Sequence, residues 1–237
     1  MRGKHVLVLA GTAEARAVLA RAAGLAVRAS LAGRTAVPVD LGVPTRVGGF
    51  GGAAGFRAAL AEATAVLDAT HPFAARMTAR AVRACDEMGV PYLRLTRPGW
   101  GPLGARYPDE RACARALPEG ARVFLTTGPG SLAAFEGRGL KLLCRRVDSA
   151  PARGGVTWVV GTPPFSVVEE AETMRCHGIT DLVTKDSGGP RAKLDAAAAL
   201  GVAVHVIERP PDPGGEETHD IDRALAFLRR HAPDPRA

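Results

Sequence analysis

One short polar turn carries the side chains best suited to chemistry. Asp68, Thr70 and His71 end an apolar run, and Pro72 opens an Ala- and Arg-rich segment with no further Gly or Pro before Gly89. This order is typical of a strand, a turn and a helix start. Open α/β sheets bind ligands at such strand ends, beside helix N-termini, so the turn could belong to an active site. The alternative is an ordinary connection, with Thr70 or His71 near the helix cap and Pro72 in the first helical turn.

The first turn of the chain is a second candidate site. The apolar run from His5 to Ala10 predicts a buried strand that leads into Gly11 and Thr12. A Rossmann-type sheet holds pyrophosphate here, but the GxGxxG fingerprint is absent because only Gly11 remains. Backbone N–H groups at Thr12 and Ala13, together with the hydroxyl, could still bind phosphate, although Glu14 disfavours its close approach. A capped helix without a ligand is the alternative interpretation.

Ser30 and Arg34 follow the second predicted strand, where a dinucleotide fold meets the adenosine ribose. An acidic residue there suits the 2′-OH of NAD, whereas arginine suits a 2′-phosphate. Residues 25–39 contain no carboxylate, so NADP fits better than NAD if this is a dinucleotide fold. Arg34 could instead be one solvated arginine among many.

The segment Gly48-Gly49-Phe50-Gly51-Gly52 contains more glycine than a simple turn requires. Glycine lets a backbone approach a ligand closely, so the segment predicts a ligand contact. A flexible surface loop is the alternative.

Two matching strand-end turns lie in the second half of the chain. The segments Thr126 to Ser131 and Thr184 to Gly189 are both rich in hydroxyl groups and glycine, and the second carries Lys185. They could form an anion-binding pocket. Leu132 and Ala133 follow Ser131, which does not match a GxSxG nucleophile elbow, so a serine hydrolase is not supported.

The composition favours anionic ligands and a helix-covered parallel sheet. Hydrophobic residues make up 46% of the chain but aromatic residues only 5%, so Ala, Val and Leu must fill the core. The net charge of +7 suits phosphates or a polycarboxylate, whereas scattered arginines and few aromatics make nucleic acid a weaker choice. The four cysteines are far apart without zinc-ligand spacing, which predicts buried free thiols in a reducing cytosol. We find no signal-peptide pattern and no apolar run near the ~20 residues of a membrane span, and we therefore expect a cytoplasmic protein.

Alternating strand and helix patterns predict an α/β fold of two lobes, with parallel sheets and a cleft between them. Residues 100–109 lack periodicity and are interpreted as a linker or crossover, which divides the chain into lobes of residues 1–100 and 101–237. The last strand is predicted from Val202 to Ile207, and a helix from about Asp220 to His231 is predicted to close the chain.

Together these motifs resemble the precorrin-6A reductase family (CobK/CbiJ) of corrin biosynthesis. Each matching piece is short, but their order and spacing are specific and cover nearly the whole chain. Two departures are visible, since Ala10 stands where the family usually has a second glycine and Asp186 where asparagine is common. The matching segments are residues 7–16, 30–34, 47–52, 68–74, 124–128, 182–189 and 207–210.

The resemblance implies an oxidoreductase that uses NADPH to reduce one double bond of precorrin-6A, formally C18=C19, giving precorrin-6B in cobalamin biosynthesis. It implies two Rossmann-like lobes, of which the N-terminal lobe binds NADPH and the C-terminal lobe binds the substrate, a small polycarboxylate corrin precursor. It implies no metal or flavin, and we expect a monomer or weak homo-oligomer that binds neither nucleic acid nor membrane. Two other functions stay open: a tetrapyrrole methyltransferase that uses S-adenosylmethionine, and a non-catalytic sensor that binds NADPH without oxidising it.

The same resemblance assigns roles to the candidate residues. His71 is the candidate proton donor, with a solvent proton as the alternative, and Asp68 is expected to orient its neighbours rather than react. The expected sets are Gly11, Thr12, Glu14, Ala15 and Arg16 near the cofactor phosphates; Ser30 and Arg34 at the 2′-phosphate; Gly48, Gly49, Phe50, Gly51, Thr70 and His71 near the nicotinamide; and Thr127, Gly128, Lys185, Ser187 and Gly188 at the substrate carboxylates.

Overall fold

A computed structural model describes residues 4–33 and 39–233 of the chain. The chain divides into two compact units, the first formed by Met1–Pro98 with Pro211–Ala237 and the second by Gly99–Pro210. Within the described residues, strands and helices alternate, as the sequence predicts for an α/β fold. In chain order the elements are β1 (His5–Ala10), α1 (Ala13–Ala20), β2 (Val27–Leu31), β3 (Thr45–Val47), α2 (Ala53–Ala61), β4 (Ala63–Ala69), α3 (Ala75–Met88), β5 (Tyr92–Leu95), β6 (Ala105–Tyr107), α4 (Glu110–Ala116), β7 (Arg122–Leu125), a 3-10 helix (Pro129–Ala134), β8 (Lys141–Arg146), β9 (Val156–Val160), α5 (Val167–Cys176), β10 (Asp181–Lys185), α6 (Ala192–Leu200), β11 (Ala203–Ile207), β12 (Glu217–Thr218) and α7 (Ile221–His231).

The first unit is a parallel sheet covered by helices on both faces. Its strand order is β12-β5-β4-β1-β2-β3, and every adjacent pair is parallel. Side chains of β1 alternate between the two faces, so that Val6 and Val8 pack with α1 and α7, whereas Leu7 and Leu9 pack with α2 and α3. Burial on both faces explains why β1 is a continuous apolar run.

The second unit repeats the same topology. Its order is β6-β11-β10-β7-β8-β9, again with only parallel neighbours. Read from the other edge, each sheet has the 3-2-1-4-5-6 order of dinucleotide-binding Rossmann folds. The predicted fold of two Rossmann-like lobes with parallel sheets is therefore confirmed.

The sixth strand of each sheet comes from an unexpected part of the chain. β6 follows β5 in sequence but pairs with β11, where His205 is in register with Ala105. β12 follows β11 but pairs with β5, where Glu217 is in register with Arg94. The chain thus leaves the first unit after β5 and returns to it after β11.

This exchange corrects the lobe assignment of residues 101–237. Residues 211–237 belong to the first unit, because β12 extends its sheet and α7 buries Ala224 and Leu228 in its core. It also corrects two local predictions, since the supposed linker of residues 100–109 contains β6, and β11 is not the last strand. None of the helices in the described part of the chain is long and apolar enough to span a bilayer.

Candidate functional site

The candidate turns of each unit flank its topological switch point. In the first sheet, β1 lies between β2 and β4, and the chain leaves β1 towards β2 and β4 towards β5. Open sheets bind ligands at this point, outside the carboxyl ends of the strands. The turns after β1 and β4 are the predicted Gly11-Thr12 and Thr70-His71 segments, and a Cβ placed on Gly11 would lie 3.7 Å from both the Thr70 Cα and the His71 nitrogen. The structure therefore brings these two turns together.

Thr12 connects the two turns through its hydroxyl group. It is the N-cap of α1, accepting a hydrogen bond from the Ala15 N–H at 3.1 Å, and it donates to the Ala69 carbonyl at 3.1 Å. Both capacities of the hydroxyl are thus used inside the protein, which does not support its predicted role as a phosphate ligand. The N–H groups of Ala13 and Glu14, in the first turn of α1, have no partner within the helix and point to the strand-end edge.

The other residues predicted on α1 have different environments. The Glu14 carboxylate accepts a hydrogen bond from Arg97 at 2.6 Å, so its charge is compensated near the turn. Ala15 is completely buried in the core and can offer a ligand no side-chain contact. Arg16 is exposed on the helix surface.

Asp68 holds the turn after β4 in place. Its side chain is completely buried; one oxygen accepts from the Thr70 N–H at 3.0 Å and the other from the Tyr92 hydroxyl at 3.0 Å. Burial and the Asp68 charge both raise the pKa of Tyr92. Burial, with a smaller contribution from Asp68, raises the pKa of the Cys85 thiol to about 12. The neighbours of Asp68 therefore stay protonated, and Tyr92 stays a donor to it.

His71 is exposed, and its ring orientation is set by its own turn. The Phe73 N–H donates to Nδ1 at 3.2 Å, and the Ala74 N–H donates to the His71 carbonyl at 2.7 Å. Because Nδ1 accepts, the neutral ring carries its hydrogen on Nε2. α3 begins only at Ala75, with Ala74 as a cap that makes no side-chain hydrogen bond, so neither Thr70 nor His71 is the helix cap and Pro72 precedes the helix. Thr70 instead lies with its hydroxyl 3.4 Å from that of the buried Thr78.

The ends of β2 and β3 are joined by Arg46, a residue that the sequence patterns did not identify. Its guanidinium donates to the Ser30 hydroxyl at 3.2 Å, to the Gly48 carbonyl at 3.1 Å and to the Gly49 carbonyl at 2.9 Å. It also lies 4.1 Å above the centre of the Phe50 ring. Ser30 and the glycine-rich loop are thus brought together, whereas Arg34 lies outside the described residues.

Gly55 fixes how the glycine-rich loop sits on α2. A Cβ at this position would lie 1.7 Å from the Phe50 carbonyl oxygen, so only glycine permits the contact. Phe50 also packs edge-on against the buried Phe56, with ring centroids 4.9 Å apart. Gly48 and Gly51 have φ angles of 105° and 71°. The glycine run therefore has a left-handed backbone at these positions and packs against α2, and Gly55, three residues beyond it, was the overlooked signal.

In the second unit, the predicted turns follow the adjacent strands β7 and β10. The Thr126 N–H and hydroxyl both donate to the Val183 carbonyl at 3.0 Å, which joins the two turns. Thr127 shares a short hydrogen bond with Ser131, whose hydroxyl also donates to the Gly128 carbonyl at 2.9 Å.

Lys185, Ser187 and Gly188 form the neighbouring turn. The Lys185 ammonium lies 3.1 Å from the Glu110 carboxylate, so its charge is partly compensated. The Ser187 N–H donates to the Lys185 carbonyl at 2.6 Å, and Gly188 has a φ of 67°. The set predicted for substrate carboxylates thus converges at one edge of the second sheet.

Asp186 anchors the segments at both ends of the second unit. Its side chain accepts hydrogen bonds from the Trp100 N–H at 3.0 Å and from Arg106 at 2.8 Å, and its carbonyl accepts from Arg209 at 2.8 Å. Burial opposes ionisation of Asp186, but the bonds from Arg106 and Trp100 outweigh it and hold its pKa below the usual value. An aspartate rather than an asparagine therefore provides the counter-charge that Arg106 contacts.

Among the four cysteines, Cys85 lies near the turn after β4, because it is close to Asp68. Cys85, Cys113 and Cys144 are buried free thiols, as predicted, but Cys176 is exposed at the end of α5. Its polar neighbourhood, Arg175 and His177, is the sequence signal for that exposure.

The donors of the first unit fit an extended anionic cofactor such as a dinucleotide. The exposed Gly11 has no side chain to obstruct a phosphate above the first turn of α1. The Ser30 hydroxyl and the Arg46 guanidinium lie at the end of β2, where such folds hold the ribose. The N-terminus of α1 follows β1, and Ser30 and Arg46 lie on β2 and β3, so both groups of donors lie at neighbouring strands of one sheet. A bound dinucleotide extends across the ends of such neighbouring strands.

Comparison with known proteins identifies the family. A family model described as precorrin-6x reductase CbiJ/CobK matches residues 5–229. A precorrin-6A reductase of Rhodococcus erythropolis is 41% identical over 177 residues, 69% of this chain and 71% of that protein. One from Mycobacterium tuberculosis (strain ATCC 25618 / H37Rv) is 44% identical over 175 residues, 69% of this chain and 71% of that protein. A solved structure of CobK precorrin-6A reductase superposes with a TM-score of 0.91 at 37% identity, covering 98% of this chain and 99% of that one. The chain therefore belongs to the precorrin-6x reductase family CbiJ/CobK.

Proposed function

We propose that this protein reduces precorrin-6A to precorrin-6B in cobalamin biosynthesis, with NADPH as the hydride donor. The observation that carries the proposal is the family match over nearly the whole chain, supported by relatives of 41% and 44% identity that are named precorrin-6A reductases. A reductase of a ring double bond needs a hydride and a proton, and a bound nicotinamide supplies the hydride.

In this proposal the first unit binds the cofactor. The open N–H groups of Ala13 and Glu14 hold the pyrophosphate at the N-terminus of α1, where the helix dipole favours an anion. The Glu14–Arg97 pair supports this role because it compensates the nearest carboxylate. Ser30 and Arg34 are proposed for the ribose 2′-phosphate, and the loop of Gly48 to Gly51 is proposed to lie near the nicotinamide.

Thr70 and His71 are proposed beside the nicotinamide, on the turn that Asp68 holds. The hydrogen of the neutral His71 ring lies on Nε2, because Nδ1 accepts from the Phe73 N–H. His71 can therefore orient or protonate a group at that atom, and a proton supplied there would be replaced from solvent, to which the ring is exposed.

The second unit is proposed to bind the carboxylates of the substrate. Thr127, Gly128, Lys185, Ser187 and Gly188 lie together at one sheet edge, where backbone N–H groups and the Lys185 ammonium can attract a carboxylate, although the Thr127 and Ser187 hydroxyls already donate within the protein. A net charge of +7 also favours a polycarboxylate substrate through long-range attraction. We further propose that the protein works in the cytoplasm as a monomer or weak homo-oligomer.

The test is turnover of precorrin-6A by the purified full-length chain. We expect NADPH to be oxidised only when precorrin-6A is present, with a much lower kcat/KM for NADH. Methylation of the substrate from S-adenosylmethionine would instead make the protein a methyltransferase. Tight NADPH binding without any oxidation would make it a sensor, and either result would overturn the proposal.

A further inference from the structure

Within the described residues, the Arg46 guanidinium contacts a hydroxyl group, two carbonyls and an aromatic ring, but no carboxylate. In residues 4–33 and 39–233, no acidic side chain lies within ion-pair distance of it, whereas Arg28 in the neighbouring strand pairs with Glu62 at 3.7 Å. Arg46 is only half-buried, and it projects at the carboxyl ends of β2 and β3. It is therefore an uncompensated cation at the ligand edge of the first sheet.

The Ser30 hydroxyl is buried beside this cation and accepts a hydrogen bond from it at 3.2 Å. Because Ser30 accepts from Arg46, its own hydrogen remains available to donate to an incoming anion. The two remaining guanidinium N–H groups of Arg46, on Nε and Nη2, can donate to the same anion. A phosphate monoester on a ribose, which carries more than one negative charge at neutral pH, is the anion that this pair of donors suits.

The same guanidinium also holds the glycine-rich loop. It bonds the carbonyls of Gly48 and Gly49 and stacks on Phe50, so one planar group connects the end of β2 to the loop that leads into α2. A shift of the Arg46 guanidinium to meet a phosphate would therefore alter the conformation of the Gly48–Phe50 loop. Conversely, an ordered loop would hold the guanidinium in position. A lysine could supply the charge, but it lacks the planar fork that reaches several acceptors at once.

We propose that Arg46 recognises the 2′-phosphate of the cofactor together with Ser30, and that it couples this recognition to the order of the Gly48–Phe50 loop. The inference rests on the proposed function, because it takes the anion to be the phosphate that distinguishes NADPH from NADH. Arg46 is thus both a specificity-determining residue and a positioning residue for the loop.

The test measures binding by calorimetry, using adenosine 2′,5′-bisphosphate and adenosine 5′-monophosphate, which differ only in the 2′-phosphate. For Arg46→Ala we expect affinity for the bisphosphate to fall ~10–100-fold, as for a lost charge-assisted contact, and affinity for the monophosphate to change less than ~3-fold. The matched control is Arg28→Ala, which removes an arginine from the adjacent strand and should leave both affinities unchanged. An equal loss for both ligands, or no loss, would overturn the proposal for Arg46.

Hydrogen exchange of the loop amides tests the coupling. In the wild-type protein, the bisphosphate should protect residues 48–52 more than the monophosphate does. Arg46→Lys should recover part of the bisphosphate affinity but not this extra protection, and recovery of both would refute the coupling. A melting curve for each variant confirms that the unit is folded. If the wild-type chain binds neither NADPH nor the bisphosphate, the proposed function itself fails, whereas normal NADPH binding with an unaffected Arg46→Ala variant refutes only this inference.

Discussion

Substitutions of Asp68 distinguish two roles for this residue: positioning the turn that carries Thr70 and His71, or taking part in the reaction itself. Asp68→Ala removes the acceptor of two hydrogen bonds, from the Thr70 N–H and the Tyr92 hydroxyl, each at 3.0 Å. A hydrogen bond to a charged group contributes about 1.5–3 kcal/mol. Thr70 and Tyr92 are half-buried, so water can replace part of the loss. We therefore expect the free energy of unfolding to fall by about 2–4 kcal/mol, which leaves a typical domain folded.

Asp68→Asn keeps the shape of the side chain and one acceptor oxygen. The Tyr92 oxygen can accept from the new amide, so we expect a loss of about 1 kcal/mol. Tyr92→Phe is the matched control, since it removes only the second partner and should cost about 1–2 kcal/mol. Urea unfolding measures all three changes, provided that the slope with denaturant stays constant.

Turnover then distinguishes the two roles. If Asp68 only fixes the turn, Asp68→Asn should keep kcat within about 5-fold of wild type and leave the pH–rate profile in place. Asp68→Ala should lower kcat about 10–100-fold, because a misplaced turn of about 1 Å costs that much. A loss of turnover in Asp68→Asn as complete as in Asp68→Ala, with near-wild-type stability, would show that the carboxylate reacts and would refute the positioning account.

Three further substitutions test other parts of the account. Arg34→Ala should weaken NADPH binding far more than NADH binding, and equal losses measured by fluorescence titration would remove its 2′-phosphate assignment. His71→Ala should slow turnover with NADPH affinity nearly unchanged, and an unaltered single-turnover rate would rule out its role as an acid. Asp186→Asn should lower the free energy of unfolding by about 1–3 kcal/mol at neutral pH, because Arg106 loses its 2.8 Å pair with Asp186 and keeps only the more exposed Glu208 at 3.3 Å. The pKa of Asp186 is depressed in the folded state. Its contribution to the free energy of unfolding is therefore present above the usual pKa of about 3.9 and is lost as the pH falls through the folded-state pKa. Equal stability of the wild type and Asp186→Asn at neutral pH would contradict the role of Asp186.

The strand-end turns could be predicted because their signals are local. Apolar runs end at polar residues, and the carboxyl ends of parallel strands must meet at one edge of a sheet. The sequence pattern therefore identified the strand His5–Ala10 with the bounds that the structure has. It also paired the turn of Thr127 with that of Lys185 as one possible anion-binding pocket, and the structure places these turns after the adjacent strands β7 and β10.

The partners of the site residues could not be predicted, because they are distant in sequence. Nothing near Asp68 indicates that Tyr92 is its donor, and Glu14 finds Arg97 from 83 positions away. Arg46 was overlooked for a related reason: it lies in a strand of three residues, and its importance comes from meeting Ser30 on the neighbouring strand.

The sequence patterns did not predict the edge strands β6 and β12, for a different physical reason. β6 and β12 have three and two residues, too few to show a period of two. β6 pairs with β11 and β12 pairs with β5, strands that are distant in sequence, and a local pattern carries no information about such a partner.

Transfer of deuterium from the cofactor tests the central claim most directly. The full-length chain is incubated with precorrin-6A and NADPH fully deuterated at nicotinamide C4, and the product is analysed by mass spectrometry and NMR. The account predicts a product that gains two hydrogens, with one deuterium on a ring carbon and one proton from solvent, together with stoichiometric loss of the near-ultraviolet absorbance of NADPH. A reduced product that contains no deuterium, or unchanged precorrin-6A beside bound NADPH, would contradict it.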